Sequence, residues 1–279
     1  MAATSFKQRL DPEALEYFNT VTKKSFSEQA VHFLNAYWNE IGSQAEFIFT
    51  VAWETMKYSD MHSKGISLIY KYEEGNEVEL NFGLYFYEKL CKFLEDPKNK
   101  EFTDEKFKIS QPEMLTAIRR KQELREKVDV NFNGNISFLE YLLHQYQEFA
   151  NPADFVVRSM AAGDEHPEIR KARLALEEVN KRIREYEAEK ARLTELAQGS
   201  GVKALTAKNQ LAQLDASPLA EELNKALITA EAAVRIATKK FGGQGGGGGA
   251  DGGSGSACPT DGAVWWMNRD LEEKKKKYG

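Results

Sequence analysis

Cysteine, histidine and proline are scarce in this sequence, and it has no long apolar run. Across 279 residues there are 2 Cys, 4 His and 7 Pro. Two distant thiols, Cys91 and Cys258, cannot build a disulfide framework, so they read as free cysteines in a reducing compartment. The histidines (His32, His62, His144, His166) lack the spacing of a metal site. No stretch approaches the ~20 apolar residues that span a bilayer. The opening MAATSFKQRLDPEAL has no apolar core of a secretory signal. The chain is therefore expected to be soluble and cytoplasmic, without a transmembrane segment. A phosphate-binding glycine loop is also missing. The glycines at 242–249 follow no strand and precede no Lys-Ser/Thr pair, so no enzyme is expected. Nor is a nucleic-acid partner.

What is present favours helix. Charged residues make up 29% and hydrophobic residues 42%, enough apolar side chain for a core. The net charge of −5 is uneven. Residues 1–165 carry 19 Lys+Arg against 27 Asp+Glu, a net of −8, and residues 166–279 carry 19 against 16, a net of +3. An acidic front half and a basic back half can attract each other, or the back half can attract an acidic partner. Helix starts are marked by Asp11-Pro12, by the capping-box pair Ser25 and Glu28, by Asn151-Pro152 and by His166-Pro167. Ser110 and Glu113 have the same capping-box spacing around Pro112 and predict a helix from there to about Val128. Residues 44–63 read as a buried helix.

Residues 66–82 change period. Leu68, Tyr70 and Tyr72 alternate with polar neighbours, as do Val78, Leu80 and Phe82, and Glu-Glu-Gly-Asn lies between the two runs. The segment reads either as a small hairpin or as a degenerate calcium loop near 66–95 that has lost its ligands. The intact loop is Asp129-Val-Asn131-Phe-Asn133-Gly134-Asn135-Ile136-Ser137-Phe-Leu-Glu140, inside an EF-hand at 113–149. Calcium is a hard ion wanting about seven oxygens, and a twelve-residue loop supplies them from alternate positions. Asp129, Asn131 and Asn133 would offer side-chain oxygens, Asn135 its carbonyl, Ser137 a water-mediated contact and Glu140 both carboxylate oxygens. Gly134 permits the left-handed turn, and Ile136 would pair with a neighbouring loop. With only Asp129 and Glu140 charged, affinity for Ca2+ is expected to be sensor-like, about 10⁻⁶ M or weaker.

From Ile169 the spacing becomes heptad-like, as in a coiled coil: Ile169, Ala172, Leu176, Val179, Ile183, Tyr186, Lys190, Leu193 and Ala197 form one seam. Glu177–Lys181 and Glu178–Arg182 are expected to pair along it. Ala220, Leu223, Leu227, Ala230, Val234, Ala237 and Phe241 form a second seam. Two such helices joined by a partly helical connection predict an antiparallel hairpin over 161–241. Residues 242–262 hold 11 Gly in 21 positions, a flexible tether of roughly 25 Å root-mean-square span. The tail 264–279, with Trp265, Trp266 and Lys274–Lys277, is a short amphipathic helix. It could dock on its own protein, a membrane surface or an acidic partner. The fold class is thus mainly α. An EF-hand-containing helical domain over 1–160 precedes the hairpin, the linker 242–263 and the tethered C-terminal helix.

Longer stretches carry a resemblance: QAVHFLNAYW (29–38), LYFYEKLCKF (84–93), EDPKNK (95–100), RRKQELREKVDVNF (119–132), SFLEYLL (137–143), ANPADF (150–155), DEHPEIRKARLALEEVNKRIR (164–184), AEAAVR (230–235) and WWMNRDLEEKKKKYG (265–279). Over most of its length the sequence resembles the small calcium-regulated actin-bundling proteins of motile amoeboid cells. The resemblance implies a protein of the cytoplasm, at the actin cytoskeleton and cell cortex, that crosslinks filamentous actin, with calcium inhibiting the bundling. It further implies more than one actin-contacting region, the main one in the C-terminal helices, held in check by the N-terminal half. Asn133 and Asn135 are neutral departures inside the loop. The rival reading is a calcium sensor whose hairpin binds some other protein.

Overall fold

In a computed structural model of the chain, the described residues are 11–163, 165–214, 218–241 and 260–278. They are predominantly helical and divide into two compact units. The first comprises residues 11–67, 73–163 and 260–263, and the second residues 68–72, 165–214, 218–241 and 264–278.

The first unit opens with α1 (Pro12–Thr22) and α2 (Phe26–Ile41). Asp11 accepts the Ala14 N–H to cap α1, and Ser25 and Glu28 form the full capping box of α2. Residues 42–63 continue as helix of changing pitch. A 3-10 turn leads into α3 (Ala45–Phe47), a π-helical segment follows at Ile48–Trp53, and α4 (Glu54–Ser63) ends the run. The strand β1 (Glu77–Glu79) then feeds directly into α5 (Leu80–Glu95). Two 3-10 turns precede α6 (Ala117–Glu123), which widens into a π-helical turn at Leu124–Val128. The strand β2 (Asn135–Ser137), α7 (Phe138–Gln145) and α8 (Pro152–Ala161) complete the unit.

Two expectations change here. Ser110 does not cap a helix, because its hydroxyl is consumed elsewhere: it donates to Gln44 Oε1 at 2.7 Å and bonds the Tyr146 hydroxyl at 2.8 Å. It ends a 3-10 turn, and the helix starts only at Ala117, capped by Thr116. The alternation in 66–82 is also not a local hairpin. Ile69–Lys71 is a 3-10 turn, and β1 pairs antiparallel with β2, aligning Glu77 with Ser137, Val78 with Ile136 and Glu79 with Asn135.

This pairing sets the core. Val78 and Ile136 are buried back to back, and Gly83 leaves room for Ile136, whose Cγ1 lies 3.2 Å from where a Cβ would stand. Phe26, Phe33, Phe86, Phe138, Tyr141 and Phe155 are also buried in this unit, with Phe86 and Tyr141 edge to face at 4.8 Å. Gln29 is a polar hub inside this apolar mass. Its Nε2 donates to the carbonyls of Thr22, Lys24 and Asn76, and its Oε1 accepts the Leu139 N–H. Residues 260–263 also belong to this unit, where the Ala263 N–H donates to Asn35 Oδ1 at 2.8 Å.

The second unit is built on α9 (Pro167–Ala197), started by His166, whose Nδ1 accepts the Glu168 N–H. The return leg comes in two pieces, α10 (Val202–Leu214) and α11 (Pro218–Phe241). Leu193 on α9 clusters with Ala207 and Leu214 on α10. Along α11, the ion pairs Arg182–Glu222 (3.0 Å) and Lys240–Glu168 (3.0 Å) fix the antiparallel direction. Both seams are buried where they meet: Ile169, Ala172, Leu176 and Val179 on one side, Leu223, Leu227, Ala230, Val234 and Ala237 on the other. Each large aliphatic side chain taken fully from water contributes about 1.5–3 kcal/mol, so this interface holds the hairpin. Glu178 pairs with Arg182 as expected, whereas Glu177 turns back to Arg173. The last helix, α12 (Asp261–Tyr278), runs antiparallel along α11, with Asn268 Nδ2 donating to Thr238 Oγ1 at 2.8 Å and Lys275 meeting Glu231 at 2.9 Å. Val264, Trp266, Met267 and Leu271 are buried, so the tail docks on its own chain. The expected tether at 242–262 falls mostly outside the described residues.

Candidate metal centre

The loop 129–140 begins where the π-helical turn stops, with the Asp129 N–H donating to the Leu124 carbonyl at 2.8 Å. Short side chains then fold back on the loop's own backbone. Asp129 Oδ1 and Asn131 Oδ1 both accept the Asn133 N–H, each at 3.1 Å. Asp129 Oδ2 accepts the Gly134 N–H at 3.0 Å, and Asn133 Oδ1 accepts the Asn135 N–H at 2.7 Å. Four oxygens of three side chains at alternate positions are thereby turned onto the loop's own backbone. Gly134 has φ 81 and Phe132 φ 57. Glycine adopts that region freely, but a bulky side chain there stores about 1–2 kcal/mol of strain.

The second half of the loop is organised by Glu140. It is fully buried and is the N3 residue of a capping box on α7, receiving the Ser137 N–H and hydroxyl on Oε2, both at 2.9 Å. Its Oε1 reaches back to the loop's start, accepting the Val130 N–H at 3.0 Å and the Asn131 N–H at 3.4 Å. Burial, with Asp129 nearby, pushes this carboxyl up to about 7. A buried carboxylate so placed wants a cation.

The hydrogen bonds link the expected donors in two sets, Asp129, Asn131 and Asn133 through shared backbone N–H groups and Ser137 with Glu140 through the capping box, while the Asn135 side chain turns to Glu77. Among the described residues, no group of three or more His, Cys, Asp or Glu side chains is placed to hold a metal. The loop itself offers only two carboxylates, and its remaining oxygens are neutral. That donor set is all oxygen, as hard cations require, and it suits Ca2+ and not zinc or copper.

Two outer residues escaped the sequence reading. The Asn131 amide Nδ2 donates to Asn19 Oδ1 at 3.2 Å. The carboxylate of Glu77, on β1, accepts from Asn133 Nδ2 at 3.0 Å on one oxygen and from Asn135 Nδ2 at 3.2 Å on the other. Only the strand register brings Glu77 there, and the sole hint in the sequence is the alternation around Val78.

Comparison with known proteins places the chain. Residues 136–244 match a family model described as "F actin bundling C terminal". The chain is 65% identical over 278 residues to the calcium-regulated actin-bundling protein of Dictyostelium discoideum, covering 100% of this chain and 93% of that protein. Its fold matches the crystal structure of the 34 kDa F-actin bundling protein from Dictyostelium discoideum with a TM-score of 0.88 and 64% identity, over 97% of this chain and 98% of that one. Near-complete coverage at this identity shows the family: the chain belongs to the calcium-regulated actin-bundling proteins.

Proposed function

We propose that this chain bundles actin filaments, as a structural protein and not an enzyme, and that Ca2+ held by residues 129–140 turns the bundling off. The observation that carries the reading is the end-to-end match to the calcium-regulated actin-bundling protein. Its place of work is then the cytoplasm, on the actin cytoskeleton at the cell cortex.

Asp129, Asn131, Asn133 and Glu140 would hold the ion with side-chain oxygens, Asn135 with its carbonyl and Ser137 through water. Bound calcium supplies the positive charge that Asp129 and the buried Glu140 lack. The residues' own part is to trade the hydrogen bonds now closed on Asn133, Gly134 and Val130 for a new arrangement. The Val130 bond ties the start of the loop, just past the π-helical turn that follows α6, to Glu140 on α7, so redrawing it turns one helix against the other. The response can be no larger than the preference of the ion for one arrangement over the other.

The filament-facing surface is proposed on α11. Its outward face presents Ile228 and Ile236, 59% and 48% exposed, between the exposed cations Lys225, Arg235 and Lys239. Apolar anchors ringed by positive charge suit an acidic filament surface.

Low-speed sedimentation of actin filaments with the wild-type chain and with Glu140→Gln tests the whole reading. Expected are wild-type bundles that pellet at low calcium and disperse at micromolar calcium, and Glu140→Gln bundles that pellet in both. Calcium inhibition that survives Glu140→Gln assigns the switch to another site. No pelleting in either condition, with calcium still bound, leaves a sensor for a different partner.

A further inference from the structure

We infer that Glu77, on the strand paired with the calcium loop, is a positioning residue for that loop: its carboxylate clamps the side-chain amides of Asn133 and Asn135 so that the Asn133 oxygen faces inward, and it returns to the site the negative charge that the two asparagines omit. The inference rests on the proposed calcium role of residues 129–140.

The geometry is bidentate. One Glu77 oxygen accepts from Asn133 Nδ2 at 3.0 Å and the other from Asn135 Nδ2 at 3.2 Å. An asparagine amide is ambiguous as a ligand, since a half-turn exchanges its acceptor oxygen for a donor nitrogen. Fastening Nδ2 to Glu77 fixes the choice, and Asn133 Oδ1 then points at the loop backbone, where it accepts the Asn135 N–H at 2.7 Å. Strand pairing sets the position, because Glu77 aligns with Ser137 in the β1–β2 register. The two neutral side chains and the acidic neighbour explain each other. Aspartate at 133 or 135 would meet Glu77 as a like charge, whereas asparagine donates to it. With Glu77 beside it the loop has three carboxylates about it, Asp129, Glu140 and Glu77, although the loop alone has two. Outer-shell partners that orient a ligand and add basicity behave this way in metal sites generally.

Calcium titration by calorimetry on the full chain, with side-chain amide NMR, tests the assignment using four proteins: wild type, Glu77→Gln, Asn133→Asp and the double variant. Glu77→Gln is expected to weaken Ca2+ binding about 10-fold, the lower end for loss of an outer-shell partner, and to shift the Asn133 Nδ2 resonances in the calcium-free chain. Asn133→Asp is expected to gain little alone but to tighten binding clearly in the Glu77→Gln background, since only there is the like charge gone. Position 77 is half-buried and Glu77→Gln exchanges one acceptor oxygen for a donor NH2 of nearly the same size, so matching thermal melts check that it folds. Wild-type affinity in Glu77→Gln, or equal gains from Asn133→Asp in both backgrounds, overturns the role of Glu77 alone. A wild-type chain that takes up no calcium overturns the loop reading and this inference with it.

Discussion

At the scale of single residues, Gln29 and Glu140 show how buried polar groups specify this fold. Removing the Gln29 amide would strand the Leu139 N–H and the Thr22 carbonyl in the interior and take a partner from the part-buried carbonyls of Lys24 and Asn76. A buried orphaned group costs about 1–3 kcal/mol, and with two of them, the Leu139 N–H and the Thr22 carbonyl, Gln29→Leu is expected to lower stability by about 3 kcal/mol although it adds apolar volume. Urea denaturation measures that loss, and an unchanged midpoint would show the hub to be dispensable. Nothing in the sequence marks Gln29, whose partners lie up to 110 positions away. The proposed calcium ligands stand out in the sequence for the opposite reason. Asp129, Asn131, Asn133, Asn135, Ser137 and Glu140 fall within twelve consecutive residues, so spacing alone is enough to propose their chemistry. Glu77 is as close to that chemistry in space but 56 positions distant in the chain, and only the strand register reveals it.

At the scale of elements, helix starts were legible where the capping side chain bonds only within its own first turn. Asp11, Ser25, Asn151 and His166 each bond the first turn that follows them. Ser110 failed as a cap because Gln44 and Tyr146 claim its hydroxyl, a tertiary contact that local spacing cannot report. The start of α12 is marked by a close approach to α2. A Cβ on Gly262 would stand 2.7 Å from the Asn35 nitrogen and from the Leu34 carbonyl carbon. Gly262→Ala is therefore expected to lift the first turn of α12 off α2, at about 1–3 kcal/mol, the usual cost of overpacking. Hydrogen exchange at Ala263, whose N–H now bonds Asn35, reads the displacement. Protection equal to wild type would mean that α2 yields without losing the contact.

For the molecule as a whole, the acidic front half and basic back half were legible as a charge asymmetry, and the structure places exposed cations on the outer face of α11. If that face meets the filament, reversing Lys225, Arg235 and Lys239 to Glu should abolish low-calcium bundling while leaving calcium binding intact. Raising salt should weaken the wild type in the same direction, because exposed charges are screened over about 10 Å at 0.1 M salt. Cosedimentation across a salt series checks both, and salt-independent pelleting would move the contact to another face. The hydrogen bond from Ala263 to Asn35 has a kinetic side as well. It joins positions 228 residues apart, so the first unit lacks one of its pieces until residue 263 has left the ribosome. Co-translational folding of that unit then ends late, with an open face on α2 through most of synthesis, the period when a nascent chain is most exposed to wrong partners.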